Sequence, residues 1–363
     1  MVRLGDNIGL LTALRRQTQV ALAAARQDPG RMAEVADFGP NPGDLRMLTY
    51  APRTLGAGAP LVVVLHGCAQ RAEAYAEQAG WLALADRLGF AVLAPEQAAT
   101  NSPNRCFNWF EPGDTARGQG EVASIRAMMR HAVKLHRLDA NRVYVTGLSA
   151  GGAMALAMLA TYPEAFAGGA VVAGLPFGVA ETLPQALQAM FGGRAHSSAE
   201  LGALVRKAAP RARKAPRLSI WHGDADRTVR SDNAAHIARQ WAAAHNLTEA
   251  PSDVQDLPGR TRSVWRSALG EEVLETHVLD GLGHGTPLET AGEAGLGAAG
   301  PYLLEAGVSS TLETARFWGL AEAAAPAPRR RAPPRAATPG PRGGVPDVSR
   351  VITDALRVAG LLK

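Results

Sequence analysis

The sequence predicts an α/β fold, a mostly parallel sheet covered by helices on both faces. Three observations carry this. Short apolar, β-branched runs at 61–65, 143–146 and 217–221 alternate with segments of helical period. The run Leu61-Val62-Val63-Val64-Leu65 is apolar at every position, as befits a strand buried on both faces. Residues 143–146 then pass through Gly147-Leu148-Ser149-Ala150-Gly151 into a helix-forming run at 153–160, a sharp strand–turn–helix join.

Taken in order, residues 1 to about 30 read as a helix, with Leu10, Leu11, Leu14, Ala21 and Leu22 inward; residues 1–40 are assigned as an N-terminal helical segment. A turn-rich loop at 37–44 leads to a strand at 45–50 and then to the strand at 61–65. Residues 72–88 read as one helix stopped by Gly89, followed by a strand at 90–94. A long loop, 98–120, holds Cys106-Phe107-Asn108-Trp109-Phe110. The helix at 121–135 puts Val122, Ile125, Met129, Ala132 and Val133 on one face. After the Ser149 turn and its helix comes a strand at 169–173.

Residues 175–215 break the alternation with helical pieces at 183–191 and 199–208, which reads as a small cap or insert. Strands resume at 217–221, 261–265 and 272–279, with helices at 233–245 and 312–324. The catalytic domain is therefore expected over 41–324. A Pro/Arg-rich linker, 325–345, cannot build a core and is expected to be disordered. The final segment, 346–363, puts Val348, Val351, Ile352, Ala355, Leu356 and Ala359 on one stripe, a C-terminal amphipathic helix suited to docking on its own body or to forming a homodimer.

Composition narrows the function classes. The net charge is +5, yet Arg329, Arg330, Arg331, Arg335 and Arg342 all lie in the linker, and without them 33 basic residues face 33 acidic ones. A balanced body argues against nucleic acid as a partner. The sequence holds no uninterrupted apolar run of about 18 residues, so no membrane span is expected. Arg3, Asp6, Arg15 and Arg16 make a poor secretory leader of the N-terminus. A cytoplasmic location is favoured, with an extracellular one as the alternative. Cys68 and Cys106 are too few for a disulfide framework or a metal cluster; one bridge between them and two free thiols both stay open.

The chemistry centres on Ser149. A serine hydroxyl needs a base, and the base an orienting acid. Asp226 follows the strand at 217–221, and His284 follows the strand at 272–279 in a glycine-flanked loop. Loops at the C-terminal ends of parallel strands converge, and the order Ser, Asp, His is that of the α/β-hydrolase fold. Asp224 is the rival acid; its other reading is a carboxylate that holds the loop by bonding backbone amides. His66 and His222 also end strands and are expected to pack beneath the site. An oxyanion needs backbone N–H donors, for which Ala150 and Cys68 are the candidates. Trp109 and Phe110 are candidates for lining the substrate groove, or for packing their loop down. No metal or cofactor is called for.

Several motifs then stand in a recognisable order. They are Leu65-His66-Gly67-Cys68-Ala69-Gln70, Pro95-Glu96-Gln97, Asn108-Trp109-Phe110, Arg117-Gly118-Gln119-Gly120-Glu121, the stretch from Arg142 through Ser149 to Met154, and Tyr162-Pro163-Glu164. Across about residues 45 to 290 the chain resembles the polyhydroxybutyrate (polyhydroxyalkanoate) depolymerase family of esterases, related to feruloyl and acetylxylan esterases. The resemblance implies an α/β-hydrolase fold, a triad of Ser149, Asp226 and His284, and Cys68 in the oxyanion hole. It implies a serine carboxylic-ester hydrolase acting on 3-hydroxybutyrate oligomer or polymer. The alternatives are a carbohydrate-acyl esterase and, in another class, a non-catalytic hydrolase-fold binding module. Many secreted members carry Ala-Trp after the histidine; this chain has His284-Gly285-Thr286-Pro287, which changes one wall of the groove.

Overall fold

The computed structural model describes residues 30–322, apart from 195, 213 and 293–294. The helix expected before residue 30, the linker 325–345 and the helix 346–363 lie outside the described residues.

Among the described residues, one sheet runs through ten strands: β1 (Ala33–Val35), β2 (Arg46–Tyr50), β3 (Leu61–Leu65), β4 (Ala91–Glu96), β5 (Val143–Leu148), β6 (Gly168–Val172), β7 (Arg217–Gly223), β8 (Asp253–Leu257), β9 (Arg260–Arg266) and β10 (Glu272–Leu279). Their order is β1-β2-β4-β3-β5-β6-β7-β10-β9-β8. The middle, from β4 to β10, is parallel, and antiparallel strands extend both edges. This is the expected architecture, with β5 and its Ser149 turn near the centre.

The helices are α1 (Ala72–Gln78), α2 (Trp81–Leu88), α3 (Pro112–Thr115), α4 (Gly120–His136), α5 (Ala150–Thr161), α6 (Leu183–Met190), α7 (Ser198–Ala208), α8 (Asp232–Ala244) and α9 (Ser310–Phe317). Alternation along β3 explains the two layers. Leu61, Val63 and Leu65 join the core formed with α4, α5 and α8, whereas Val62 and Val64 join that formed with α1, α2 and α9. Every residue of β3 and of α5 is buried, so both elements are apolar all round.

Four differences from the sequence reading have local causes. The helix expected over 72–88 is two helices. Gly80 adopts φ 85° and lets residues 296–297 approach closely; the Gln78 carbonyl, freed at the break, accepts the Ala298 N–H at 2.9 Å. The stretch 1–40 is not a separate helical segment throughout, because β1 pairs antiparallel with β2 and Arg46 bonds the Glu34 carboxylate across the pair. Strand β8 escapes the sequence because Asp253-Val254-Gln255-Asp256-Leu257 is mainly polar, which suits an edge strand. A short parallel pair, β11 (Thr286–Leu288) with β12 (Leu303–Glu305), lies beyond the His284 loop.

The 175–215 segment divides its work. Helix α7 packs on α8, with Gly202 giving room to Ala243, while α6 turns Leu183, Ala186, Leu187 and Met190 into the cleft described below.

Candidate active site

The strand β5 ends in a strained turn. Ser149 sits at φ 56°, ψ −119°, outside the regions a side-chain-bearing residue normally occupies, a conformation that costs about 1–3 kcal/mol. Neighbouring contacts hold it: its N–H donates to the Val172 carbonyl at 2.9 Å, and its carbonyl accepts the Ala153 N–H at 2.9 Å. The glycines are needed for want of space. A Cβ on Gly147 would lie 2.3 Å from the Gly151 carbonyl oxygen, and one on Gly151 would lie 2.4 Å from the carbonyl oxygens of both Leu65 and His66. The turn thus nests between its own helix and the end of β3, and Ser149 remains partly exposed.

The ends of β7 and β10 bring the acid and the histidine together. Gly223 passes so close to Leu282 that an added Cβ would lie 2.1 Å from its carbonyl oxygen. Ala225 N–H donates to that same carbonyl at 3.1 Å, and Gly281 N–H donates to Asp224 Oδ1 at 2.6 Å. Asp224 is therefore the loop holder, and Asp226 is the acid that meets His284. Asp226 Oδ2 accepts from His284 Nδ1 at 2.7 Å, while Oδ1 accepts the N–H groups of Thr228 and Val229 at 2.8 and 2.9 Å. Burial pushes the Asp226 carboxyl up, but the hydrogen bonds of His222, His284 and Val229 outweigh it and hold the group well below the usual carboxylate range. With Nδ1 facing Asp226, His284 keeps Nε2 for the cleft.

His66 and His222 lie beneath, as expected. His66 places Nδ1 2.7 Å from the Gly67 carbonyl, and its Nε2 accepts the Gln97 N–H at 3.1 Å; burial pulls it down to about 4, so it is a neutral strut between the ends of β3 and β4.

The turn after β3 carries Cys68. Gly67 N–H is taken by the Gln70 side chain and Ala69 N–H by the Asn104 carbonyl; among the described residues no acceptor bonds the Cys68 N–H. Cys68 is joined to Cys106 by a disulfide, which decides the alternative the sequence left open. The bridge pins the loop that carries Phe107, Trp109 and Phe110. Phe107 is fully buried against His66, while Trp109 and Phe110, packed edge to face at 5.5 Å, line the cleft.

Ser149, Ala150, Cys68, Trp109, Phe110 and His284 all line one cleft of about 310 Å³; Asp226 lies behind it under His284. Leu175, Thr228, Val229, the α6 side chains and Tyr302 also line it; of these, the sequence pointed only to α6, as part of the cap expected at 175–215. The Tyr302 ring stands edge-on to His284 at 6.0 Å. An aromatic group thus flanks the histidine although none follows it in sequence. The signal for α6 was its apolar stripe; Tyr302, at φ 63° before a three-residue strand, gave none.

A parallel sheet with antiparallel edges, a strained serine turn and an Asp–His pair at the strand ends define an esterase of the α/β-hydrolase class. The chain belongs to the Esterase PHB depolymerase family, whose model matches residues 47–262. It is 40% identical over 307 residues to poly(3-hydroxyalkanoate) depolymerase C of Paucimonas lemoignei, covering 83% of this chain and 73% of that protein. It is 30% identical to acetylxylan esterase A of Emericella nidulans over 80% of this chain and 96% of that protein. An acetyl xylan esterase structure from Aspergillus awamori shares the fold, with a TM-score of 0.67 at 23% identity, over 80% of this chain and all of that one (100%). Among the described residues no helix is long and apolar enough to cross a membrane.

Proposed function

We propose that the chain hydrolyses esters of short hydroxyalkanoates, 3-hydroxybutyrate oligomers or polymer, through an acyl-enzyme on Ser149. The observation that carries this is the Asp226–His284 bond at 2.7 Å beside a serine in elbow geometry on the same cleft. Ser149 Oγ attacks the acyl carbon as His284 Nε2 takes its proton. The carbonyl electrons move onto oxygen, where the Ala150 and Cys68 N–H groups receive the charge. Collapse expels the alcohol, which takes the proton from His284. Water, deprotonated by the same imidazole, then attacks the acyl carbon; the C–O bond to Ser149 breaks, Oγ takes the proton back from His284, and the acid is released. Asp226 holds the ring and stabilises the imidazolium.

The cleft favours a neutral, compact acyl group, since its inner walls are Leu, Met, Val and aromatic side chains with few ionisable groups. The substrate named in the 40%-identical relative supports the hydroxyalkanoate reading. A sugar-acyl ester is the second reading, supported by the acetylxylan esterase relative. The Cys68–Cys106 bridge supports an oxidising, extracellular setting over a cytoplasmic one. The test compares a short-chain nitrophenyl ester, a 3-hydroxybutyrate oligomer and an acetylated xylan oligomer, with Ser149→Ala beside the wild type. The oligoester is the expected substrate; turnover of the sugar ester alone would move the assignment, and turnover of none would leave a binding module.

A further inference from the structure

We propose that His222 is a positioning residue for the acid: its Nε2–H braces the Asp226 carboxylate and the loop that carries it. The proposal rests on the esterase reading above and adds a second histidine to the Asp226–His284 pair.

His222 is the penultimate residue of β7, and its side chain is completely buried. Its Nε2 lies 2.8 Å from the Val229 carbonyl oxygen and 3.3 Å from Asp226 Oδ2. Both neighbours are acceptors, so Nε2 carries the proton, with its shorter bond to Val229. Val229 in turn gives its N–H to Asp226 Oδ1 at 2.9 Å. One imidazole therefore closes a ring: His222 to the Val229 carbonyl, Val229 N–H to one carboxylate oxygen, and the other carboxylate oxygen back beside His222. Rotation of the Asp226 carboxylate would break two of these contacts, so the oxygen facing His284 is held in place.

The opposite ring nitrogen makes the case specific. His222 Nδ1 is buried and has no hydrogen-bond partner among the described residues. An unpaired buried nitrogen is destabilising, a penalty that a phenylalanine or leucine at this position would avoid. As core filling, the histidine is a poor choice; as the donor of one N–H to the acid loop, it is intelligible. With both nearby acceptors on the Nε2 side and none at Nδ1, the donor that meets the acid loop is Nε2. Among the described residues, the ionisable groups facing the Asp226 carboxylate are His222 from β7 and His284 from the loop after β10, while Asp224 turns away to Gly281.

An N–H beside Asp226 spreads the carboxylate charge. Removing it concentrates that charge on the oxygen facing His284, which strengthens the imidazolium and carries its protonation to higher pH. The test measures nitrophenyl-ester turnover for the wild type, His222→Phe and His222→Gln, with Ser149→Ala and Asp226→Asn as controls. Glutamine places an amide N–H where Nε2 stood. His222→Phe should lower kcat about tenfold to a hundredfold with KM little changed, and move the acid limb of kcat/KM upward by about half a pH unit or more. His222→Gln should recover most of kcat and the wild-type profile. A Phe variant with wild-type kcat and profile, or Phe and Gln variants equally impaired with unmoved profiles, would overturn the proposal. Should His222→Phe not fold, nitrogen NMR of the histidine-labelled wild type decides: a proton on Nε2 at neutral pH is expected, and an Nδ1–H tautomer with Nε2 bare overturns it. An inactive wild type, by contrast, would fail the esterase reading while leaving the tautomer measurement standing.

Discussion

The disulfide between Cys68 and Cys106 joins the turn that offers an unengaged backbone N–H to the loop that carries Trp109 and Phe110. One covalent link therefore spans the side proposed to receive the oxyanion and the aromatic wall of the same cleft. Cysteines 38 residues apart enclose a loop whose cross-link is worth about 2–4 kcal/mol of folding free energy. Thiol reduction, or Cys106→Ser, is expected to lower kcat/KM at least about tenfold, since small misplacements of a donor are costly. Assay with and without a phosphine reductant checks this, with a fall in Tm alongside.

The Ser149 turn leaves no room for a methyl group at two positions. Gly151→Ala would drive Cβ into the Leu65 and His66 carbonyl oxygens, and the chain must shift to accept it. The expected cost is about 2–4 kcal/mol of stability together with loss of most activity. Urea melts and ester assays of Gly151→Ala measure both; wild-type values in both would contradict the geometry.

Glu121 gives stability a pH dependence of stated sign. It is buried at the start of α4, accepting from the Asn108 N–H at 3.0 Å and from the Gln97 side chain. Burial, then the nearby Asp114 charge, push it up to about 8, against the opposing pull of these two donors. The folded chain thus keeps a proton that the unfolded chain has given up. That contribution is fully present below the ordinary carboxylate value and is lost as pH rises through about 8. Wild-type Tm should fall between pH 5 and pH 9 more steeply than that of Glu121→Gln, which lacks the titrating carboxyl. Equal slopes in the two proteins would refute the assignment.

Helix α6 should set the acyl length the cleft accepts. Leu187 and Met190 face the space beside Ser149. Leu187→Trp is expected to leave acetate-ester turnover within a few-fold while cutting kcat/KM on hexanoate and octanoate esters about tenfold or more. A chain-length series of nitrophenyl esters reads this directly.

The parts legible in the sequence were those written in local chemistry. Continuous apolar runs marked β3 and β5, and glycines at a strand–helix join marked Ser149, because those demands act within a few residues. The order of Asp226 and His284 was legible as well. Asp226 was preferred to Asp224 there for its place further along the loop; the contacts that separate the two were not legible, because they depend on which carboxylate meets the Gly281 amide and which meets an imidazole across the sheet. Tyr302, the α1–α2 break and the Cys68–Cys106 bond share that character. Each depends on a partner distant in sequence: His284, the 296–297 loop and the 98–110 loop. The edge strand β8 was hidden for the opposite reason, since its polar composition answers to solvent rather than to a core.

Covalent trapping tests the central claim most directly. The wild type would be incubated with a fluorophosphonate, digested and mapped by mass spectrometry. A single adduct on Ser149, formed far more slowly in Asp226→Asn, is the expected result. No adduct, or an adduct on another serine at the same rate in both proteins, would contradict a nucleophilic Ser149 driven by the His284–Asp226 pair.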